Sequence, residues 1–144
     1  MTEAVATANP QIAARDFAGA GMRAAVYRGA GRVVVEPVPV PEISAGEILI
    51  HVAACGICGT DLHILEGEFA PSLPIIPGHE FTGVVVATGS DVHEIASGQR
   101  VAVDPSLYCF ECHFCKIGHN NLCERWNAIG VSVPGGPHSS PWRR

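Results

Sequence analysis

From residue 22 onward the chain is written in short apolar runs broken by glycine and proline, and helical periodicity is never sustained. Ala24–Tyr27 and Arg32–Glu36 read as short strands split by Gly29-Ala30-Gly31. Pro37, Pro39 and Pro41 predict an extended connection, because each ring fixes φ and removes a backbone donor. Glu47–Ala54 alternates, so Ile48, Ile50 and Val52 fall on one side of a half-buried strand. Gly83–Thr88 and Arg100–Val103 are β-branched runs bounded by turn residues, and Gly98-Gln99 is the turn that feeds the second. A single short helix is predicted over Gly59–Leu65, where Cys58-Gly-Thr-Asp has the form of a helix start. Runs this short predict a mainly β domain, a small barrel or sandwich, with functional loops hung between strands.

The two ends depart from this pattern. Residues 1–21 (MTEAVATANPQIAARDFAGAG) are alanine-rich, carry charges near both ends and lack the hydrophobic segment of a secretory signal. They are expected to form a flexible extension. Gly19–Ala24 (GAGMRA) mimics a dinucleotide fingerprint but has no preceding strand and no following helix, so that reading is rejected. Pro137–Arg144 (PHSSPWRR) shows no strand pattern and is expected to be an atypical tail, of the kind a frameshift or early stop produces.

Composition narrows the class. At 144 residues the chain holds one domain plus its extensions. Hydrophobic residues make up 47% and charged residues 16%, which is globular rather than disordered. The net charge is −5 and no basic stripe exists, which argues against a nucleic-acid partner. No apolar run reaches bilayer length, so no membrane partner is expected. All six cysteines fall in two tight clusters, a usage typical of metal sites in a reducing compartment; a cytoplasmic location is expected.

Cys109, Cys112, Cys115 and Cys123 follow C-x2-C-x2-C-x7-C in YCFECHFCKIGHNNLCE. Four thiolates fill the tetrahedral shell of one zinc ion and leave no open position, which makes the predicted site structural. Two rivals remain, free thiols and an iron–sulfur cluster. The first three cysteines have ferredoxin-like spacing, but the fourth is too distant and Glu124 stands where the proline of that motif belongs.

The second cluster spans VAACGICGTDLH (Val52–His63) and PIIPGHEFTG (Pro74–Gly83). Cys58, His79 and Glu80 offer a thiolate, an imidazole and a carboxylate. Three such ligands with an open position are what a catalytic zinc requires, and an open zinc activates alcohols and carbonyls. The competing readings are a thioredoxin-like Cys55–Cys58 redox pair and an ordinary buried His79. Gly78-His79-Glu80, set between apolar runs, favours the ligand reading.

Both clusters, in this order, resemble the zinc-dependent medium-chain alcohol and polyol dehydrogenases, the group that includes sorbitol and threonine dehydrogenases. The matching text is GEILIHVAACGICGTDLH, PIIPGHEFTGVV, GQRVAV, the four-cysteine loop and NAIGV, covering Met22 to about Gly136. The resemblance implies a GroES-like, partly open β-barrel with a zinc-binding loop, here incomplete and without the family's Rossmann domain. Residues 22–136 would be the truncated N-terminal catalytic domain, with sheet edges left unpaired. It implies that Cys58 and His79 are catalytic-zinc ligands and that Glu80 is a third ligand or a carboxylate just behind the metal. Asp61 would orient the histidine ligand. Thr60 would pass the substrate proton on and His63 would release it to solvent, although Thr60 is equally a helix cap and His63 an exposed helix residue. Cys55 matches a non-ligand position and reads as packing. His51, His93, His113, His119 and His138 match no chemistry and are assigned to the surface.

The function so implied is oxidation of an alcohol or polyol to a carbonyl by hydride transfer to NAD or NADP. The intact enzyme would carry two zinc ions, bind the nucleotide through the missing domain, and form a homo-oligomer. Gly59 and Glu80 lean toward polyol or threonine-type substrates. A chain lacking the nucleotide domain is expected to be inactive alone. The alternative is a non-catalytic zinc-binding remnant or interaction module.

Overall fold

In a computed structural model, described here for residues 21–68, 72–133 and the strand 139–141, β1 (Gly21–Tyr27) and β2 (Val33–Pro39) form an antiparallel ribbon pairing Gly21 with Pro39 and Tyr27 with Val33. The ribbon is longer than the sequence pattern at its open end, where it reaches Gly21 and Pro39. β2 runs through Pro37 and Pro39, expected to lie in a connection. Their missing N–H groups are tolerated because β2 is an edge strand with a single partner. β1 begins at Gly21, one residue inside the predicted extension; residues 1–20 and His138 lie outside the described residues.

β3 (Glu47–Cys55) and β4 (Phe81–Thr88) form the central antiparallel pair, with β5 (Arg100–Ala102) on the far side of β4. The β3–β4 register shifts at Leu49/Ile50 and again at Val52/Ala54. Such bulges bend a strand and re-aim its side chains. By the strand's alternation Ile48 and Ile50 enter one apolar cluster, with Phe81, Val85, Val92 and Ile129, while Leu49 enters another with Val86 and Ala87. Val52 packs on the first cluster from its rim, as the alternation predicts.

β6 (Ser106–Leu107) and β7 (Asn127–Ala128) pair over two residues and close the base of a lobe. That lobe contains the four cysteines, a single helical turn α2 (His113–Lys116) and a 3-10 turn at Asn120–Leu122. None of these small elements has an apolar period long enough to be read from sequence.

The predicted tail requires a correction. Ser139–Pro141 forms β8, antiparallel to β3, with Leu49 opposite Ser139 and Glu47 opposite Pro141. Ladder hydrogen bonds are made by the backbone, so a free edge on β3 captures a segment whose side chains carry no strand pattern. The sheet order is therefore β5-β4-β3-β8, and that edge of β3 is covered over Glu47–Leu49. The fold is mainly β, and the strands do not close into a ring among the described residues.

α1 (Gly59–Glu66) is the one helix of two turns among the described residues, one residue longer than predicted. It is held by Ile64, fully buried against Tyr27 and Ile75. Burying such a side chain stabilises by about 1.5–3 kcal/mol. Tyr27 and Ile75 also exchange backbone hydrogen bonds, at 2.7 and 3.0 Å. The ribbon, the helix and the segment leading to His79 are thereby tied together.

Candidate metal centres

Cys58 is the N-cap of α1, in an extended conformation. Its Sγ accepts the N–H of Thr60 at 3.3 Å, and its own N–H donates to Asp61 Oδ2 at 3.0 Å. This is a capping box with a cysteine in the place usually taken by serine or threonine. Both bonds satisfy donors left free at a helix start. Thr60 is therefore not the cap. It sits inside the first turn, with its backbone, not its hydroxyl, serving Cys58.

His79 arrives from the other side. Its Nε2 lies 2.9 Å from Cys58 Sγ, and its Nδ1 lies 3.6 Å from Asp61 Oδ1. His79 and Asp61 are both 8% exposed. His79 Nδ1 and Asp61 Oδ1 are buried without a hydrogen-bond partner, facing each other just beyond bonding distance. Asp61 thus spans two jobs, one carboxylate oxygen on the cap and the other toward the imidazole. Cys58, Asp61 and His79 bring ligand atoms within 4.8 Å of one another.

The backbone around His79 is set by a close crossing. Gly130 has φ +74°, and a Cβ there would lie 2.0 Å from the Gly78 carbonyl oxygen. Gly78 itself has φ +104°, and a Cβ on it would lie 2.8 Å from Cys55 Sγ. Only glycine fits at either position. This pair of glycines, fifty-odd residues apart, was not identified by sequence reasoning. The signals were Gly78 within PIIPGHEFTG and Gly130 within NAIGV, two of the motifs that carry the resemblance, and neither says that the two meet.

Glu80 is exposed, and its Oε2 packs over Gly56, where a Cβ would sit 2.7 Å from it. The structure does not gather it with Cys58, Asp61 and His79. Cys55 is exposed as a residue and does not join a core cluster, contrary to the packing expectation, because the last residues of β3 extend past the apolar clusters. Its sulfur tucks against Gly78, and burial of the sulfur raises its pKa. A raised pKa is the opposite of what a thioredoxin-like nucleophile needs. His63 lies on the last turn of α1, half exposed, with Nδ1 2.6 Å from Glu68 Oε2. His51, His93, His113 and His119 are exposed.

In the lobe, the sulfurs of Cys109, Cys112, Cys115 and Cys123 all lie within 4.8 Å of one another, and none is in a disulfide. Backbone N–H groups converge on them: Cys112 N on Cys109 Sγ and Cys109 N on Cys123 Sγ, both at 3.4 Å. The N–H groups of Glu111 and Cys112 pull the Cys109 thiol down to about 6. Those of Cys115 and Glu124 lower Cys112. Burial pushes Cys115 up to about 12. Four sulfurs this close, fed by N–H donors that favour thiolate, are a donor set for a soft or borderline metal.

The alcohol dehydrogenase GroES-like domain matches residues 44–140, two thirds of the chain and through most of β8. This chain belongs to the zinc-dependent alcohol and polyol dehydrogenase family. D-arabinitol dehydrogenase 1 of Uromyces fabae is 46% identical over 97 residues, 67% of this chain and 28% of its own. A short chain alcohol dehydrogenase from Escherichia coli CFT073, complexed with NADH, superposes with TM-score 0.79 at 36% identity, over 85% of this chain and 37% of its own. The cobalt- and zinc-bound thermostable alcohol dehydrogenase of Pyrobaculum aerophilum gives TM-score 0.74 at 34% identity, over 81% and 37%. The chain thus spans roughly a third of the length of these relatives. Among the described residues no helix is long and apolar enough to cross a membrane.

Proposed function

We propose that this chain is the zinc-binding catalytic domain of an NAD(P)-linked alcohol or polyol dehydrogenase. The observation that carries the reading is the convergence of Cys58 Sγ, His79 Nε2 and Asp61 at the start of α1, with buried orphan atoms on Asp61 and His79. Zinc held by Cys58 and His79 would supply Lewis-acid polarisation of an alcohol or carbonyl oxygen. Asp61 keeps the His79 ring oriented with Nε2 outward, the role carboxylates play behind metal-bound histidines. Glu80 serves as a carboxylate beside this pair, its exposed side chain standing over Gly56.

Alcohol oxidation removes a hydride and a proton from the substrate. Thr60, in the first turn of α1 and bonded through its backbone to Cys58 Sγ, takes the hydroxyl proton. His63, three residues further along the same helix face and open to solvent beside Glu68, releases it. NAD or NADP, when bound, would supply the hydride acceptor, and that chemistry is the cofactor's own. The nucleotide belongs to a further domain of the kind that the relatives' greater length accommodates, and homo-oligomers form through it. The four-cysteine lobe holds a second, structural zinc. A reducing, cytoplasmic setting keeps all six thiols free for these roles. The resemblance to an arabinitol dehydrogenase supports a polyol substrate.

Metal analysis tests this directly. The purified chain is expected to bind two zinc ions, and Cys58→Ser to bind one. One zinc in the parent, held by the four cysteines alone, would instead support a non-catalytic zinc module. NAD(P)-dependent oxidation of polyols by these 144 residues alone is expected to be negligible, since they span about a third of the length of the relatives and much of a two-substrate rate comes from holding the acceptor in place. Measurable turnover would overturn that part of the reading.

A further inference from the structure

The C-terminal end of α1 gathers side chains that the cysteine-bearing sites do not use. His63 and Glu66 stand three residues apart and share one face of the helix. Gly67 then takes φ +83°; its N–H bonds Ile64 O at 3.2 Å, and the N–H of Glu68 returns to His63 O at 2.9 Å. This paired closure at a left-handed glycine is a Schellman turn. It folds Glu68 back over His63, so that His63 Nδ1 and Glu68 Oε2 lie 2.6 Å apart. Ile64, fully buried, holds the turn in place from beneath. His63, Glu66 and Glu68 each bring one ligand atom within 4.8 Å of the other two, and all three residues are exposed.

The charges in this group ask for a cation. Two carboxylates are held close together at the end of a helix where the macrodipole disfavours negative charge. His63 is the only basic residue in that last turn. Among the described residues no lysine or arginine pairs with Glu66 or Glu68; the two arginine pairs are Arg28–Glu36 and Arg125–Glu111. One imidazole nitrogen and two carboxylate oxygens, with solvent open to the remaining positions, suit a divalent ion such as zinc or nickel. Nitrogen and oxygen ligands stand about 2.0–2.2 Å from zinc, which puts neighbouring ligand atoms roughly 3 Å apart. The His63–Glu68 pair is already near that spacing, and the exposed Glu66 side chain is free to rotate toward it.

We infer that His63, Glu66 and Glu68 form a further metal site on the surface at the end of α1, one that takes a divalent transition-metal ion. It has no thiolate and lies open to solvent, so it binds more weakly than the cysteine-bearing sites and empties on desalting; the expected count of two zinc ions stands. The inference needs neither zinc at Cys58 nor proton release by His63.

The test is nickel titration of the zinc-loaded, desalted 144-residue chain, followed by amide NMR. Nickel suits imidazole and carboxylate ligands, and its unpaired electrons broaden only nearby signals, so each site is read separately. Signals of 62–68 are expected to broaden at lower nickel than those around His51 and His93, exposed histidines that belong to no such group among the described residues. His63→Ala should abolish the early broadening. Glu68→Gln should raise its onset to that of the lone histidines, and Glu66→Gln should raise it part of the way. His93→Ala should leave it unchanged. A common onset at His51, His93 and 62–68, early broadening that survives His63→Ala, or an onset unmoved by both glutamine variants would each overturn the inference and leave the reading of Cys58 and His79 standing. Signals outside 59–68 that match the parent's show that each variant is folded.

Discussion

His79 and Asp61 stand on elements that pack into the molecule, next to Ile64 and Phe81, whereas in the lobe from 108 to 126 only Cys112 and Cys123 are buried. The lobe's larger apolar side chains, Phe110, Ile117, Leu122 and Trp126, point substantially into solvent. Its only strand pairing is the two-residue β6–β7 contact at its base. The first site is therefore shaped by the fold before any ligand arrives. In the lobe the sulfurs are the core, and a bound metal would do the work that apolar burial does elsewhere. One chain thus contains a preorganised site and a site that organises its own surroundings.

The strongest way to break this contrast is to remove the metal. Chelation, or Cys112→Ser, should strip amide-exchange protection from 108–126 while Ile48–Ile50 and Val84–Ala87 keep theirs. Structural zinc contributes on the order of 10 kcal/mol to small domains. A lobe that stays protected without metal would show that its backbone bonds suffice.

Gly130→Ala attacks the other site through the fold. The new Cβ meets the Gly78 carbonyl and adopts a positive φ, and a cost of about 3 kcal/mol is expected in urea unfolding. Zinc should be lost at Cys58 and His79 and retained by the four cysteines. Equal loss at both sites would mean that the two are not independent.

Asp61→Ala removes the cap acceptor and the partner of His79 together. About 1 kcal/mol of stability should go with the cap, and metal affinity at Cys58–His79 should fall roughly 10- to 100-fold. Asp61→Asn keeps the cap oxygen, so it should restore stability but not affinity. If Asn restores both, the carboxylate charge is irrelevant.

Within the metal-free lobe the thiols should differ in pH response. Cys109, drawn to about 6 from 9.0, is thiolate when folded and thiol when unfolded between those values. Its contribution to stability is full above pH 9 and is lost as pH falls through 6. Cys115, pushed to about 12, works the other way, and costs stability as pH rises above 9. Alkylation at pH 7 followed by mass spectrometry should label Cys109 first and Cys115 last. Labelling of all four at one rate would show that the sulfurs are not differentiated before metal arrives.

The smallest effect belongs to Thr60→Ala. Its hydroxyl does not cap α1, so the stability change should be under about 0.5 kcal/mol. A loss near 1 kcal/mol would restore the capping role to Thr60.

The sequence alone was sufficient for the mainly β class, the central strands, the one two-turn helix and the two sulfur-bearing clusters. Each depends on local spacing: alternation along a strand, thiols at intervals that fit one ion, a cap followed by an acidic residue. The tertiary structure decided what local spacing cannot encode. Cys58, rather than Thr60, caps α1, because the cap depends on where the chain enters the helix. Glu80 swings over Gly56 instead of joining its neighbour His79, because adjacent residues in an extended segment face opposite ways. Gly78 and Gly130 meet backbone to backbone across about a third of the chain. Ser139–Pro141 pairs with β3 because a free edge bonds backbone without regard to side chains, and no reading of PHSSPWRR by side-chain pattern contains that fact.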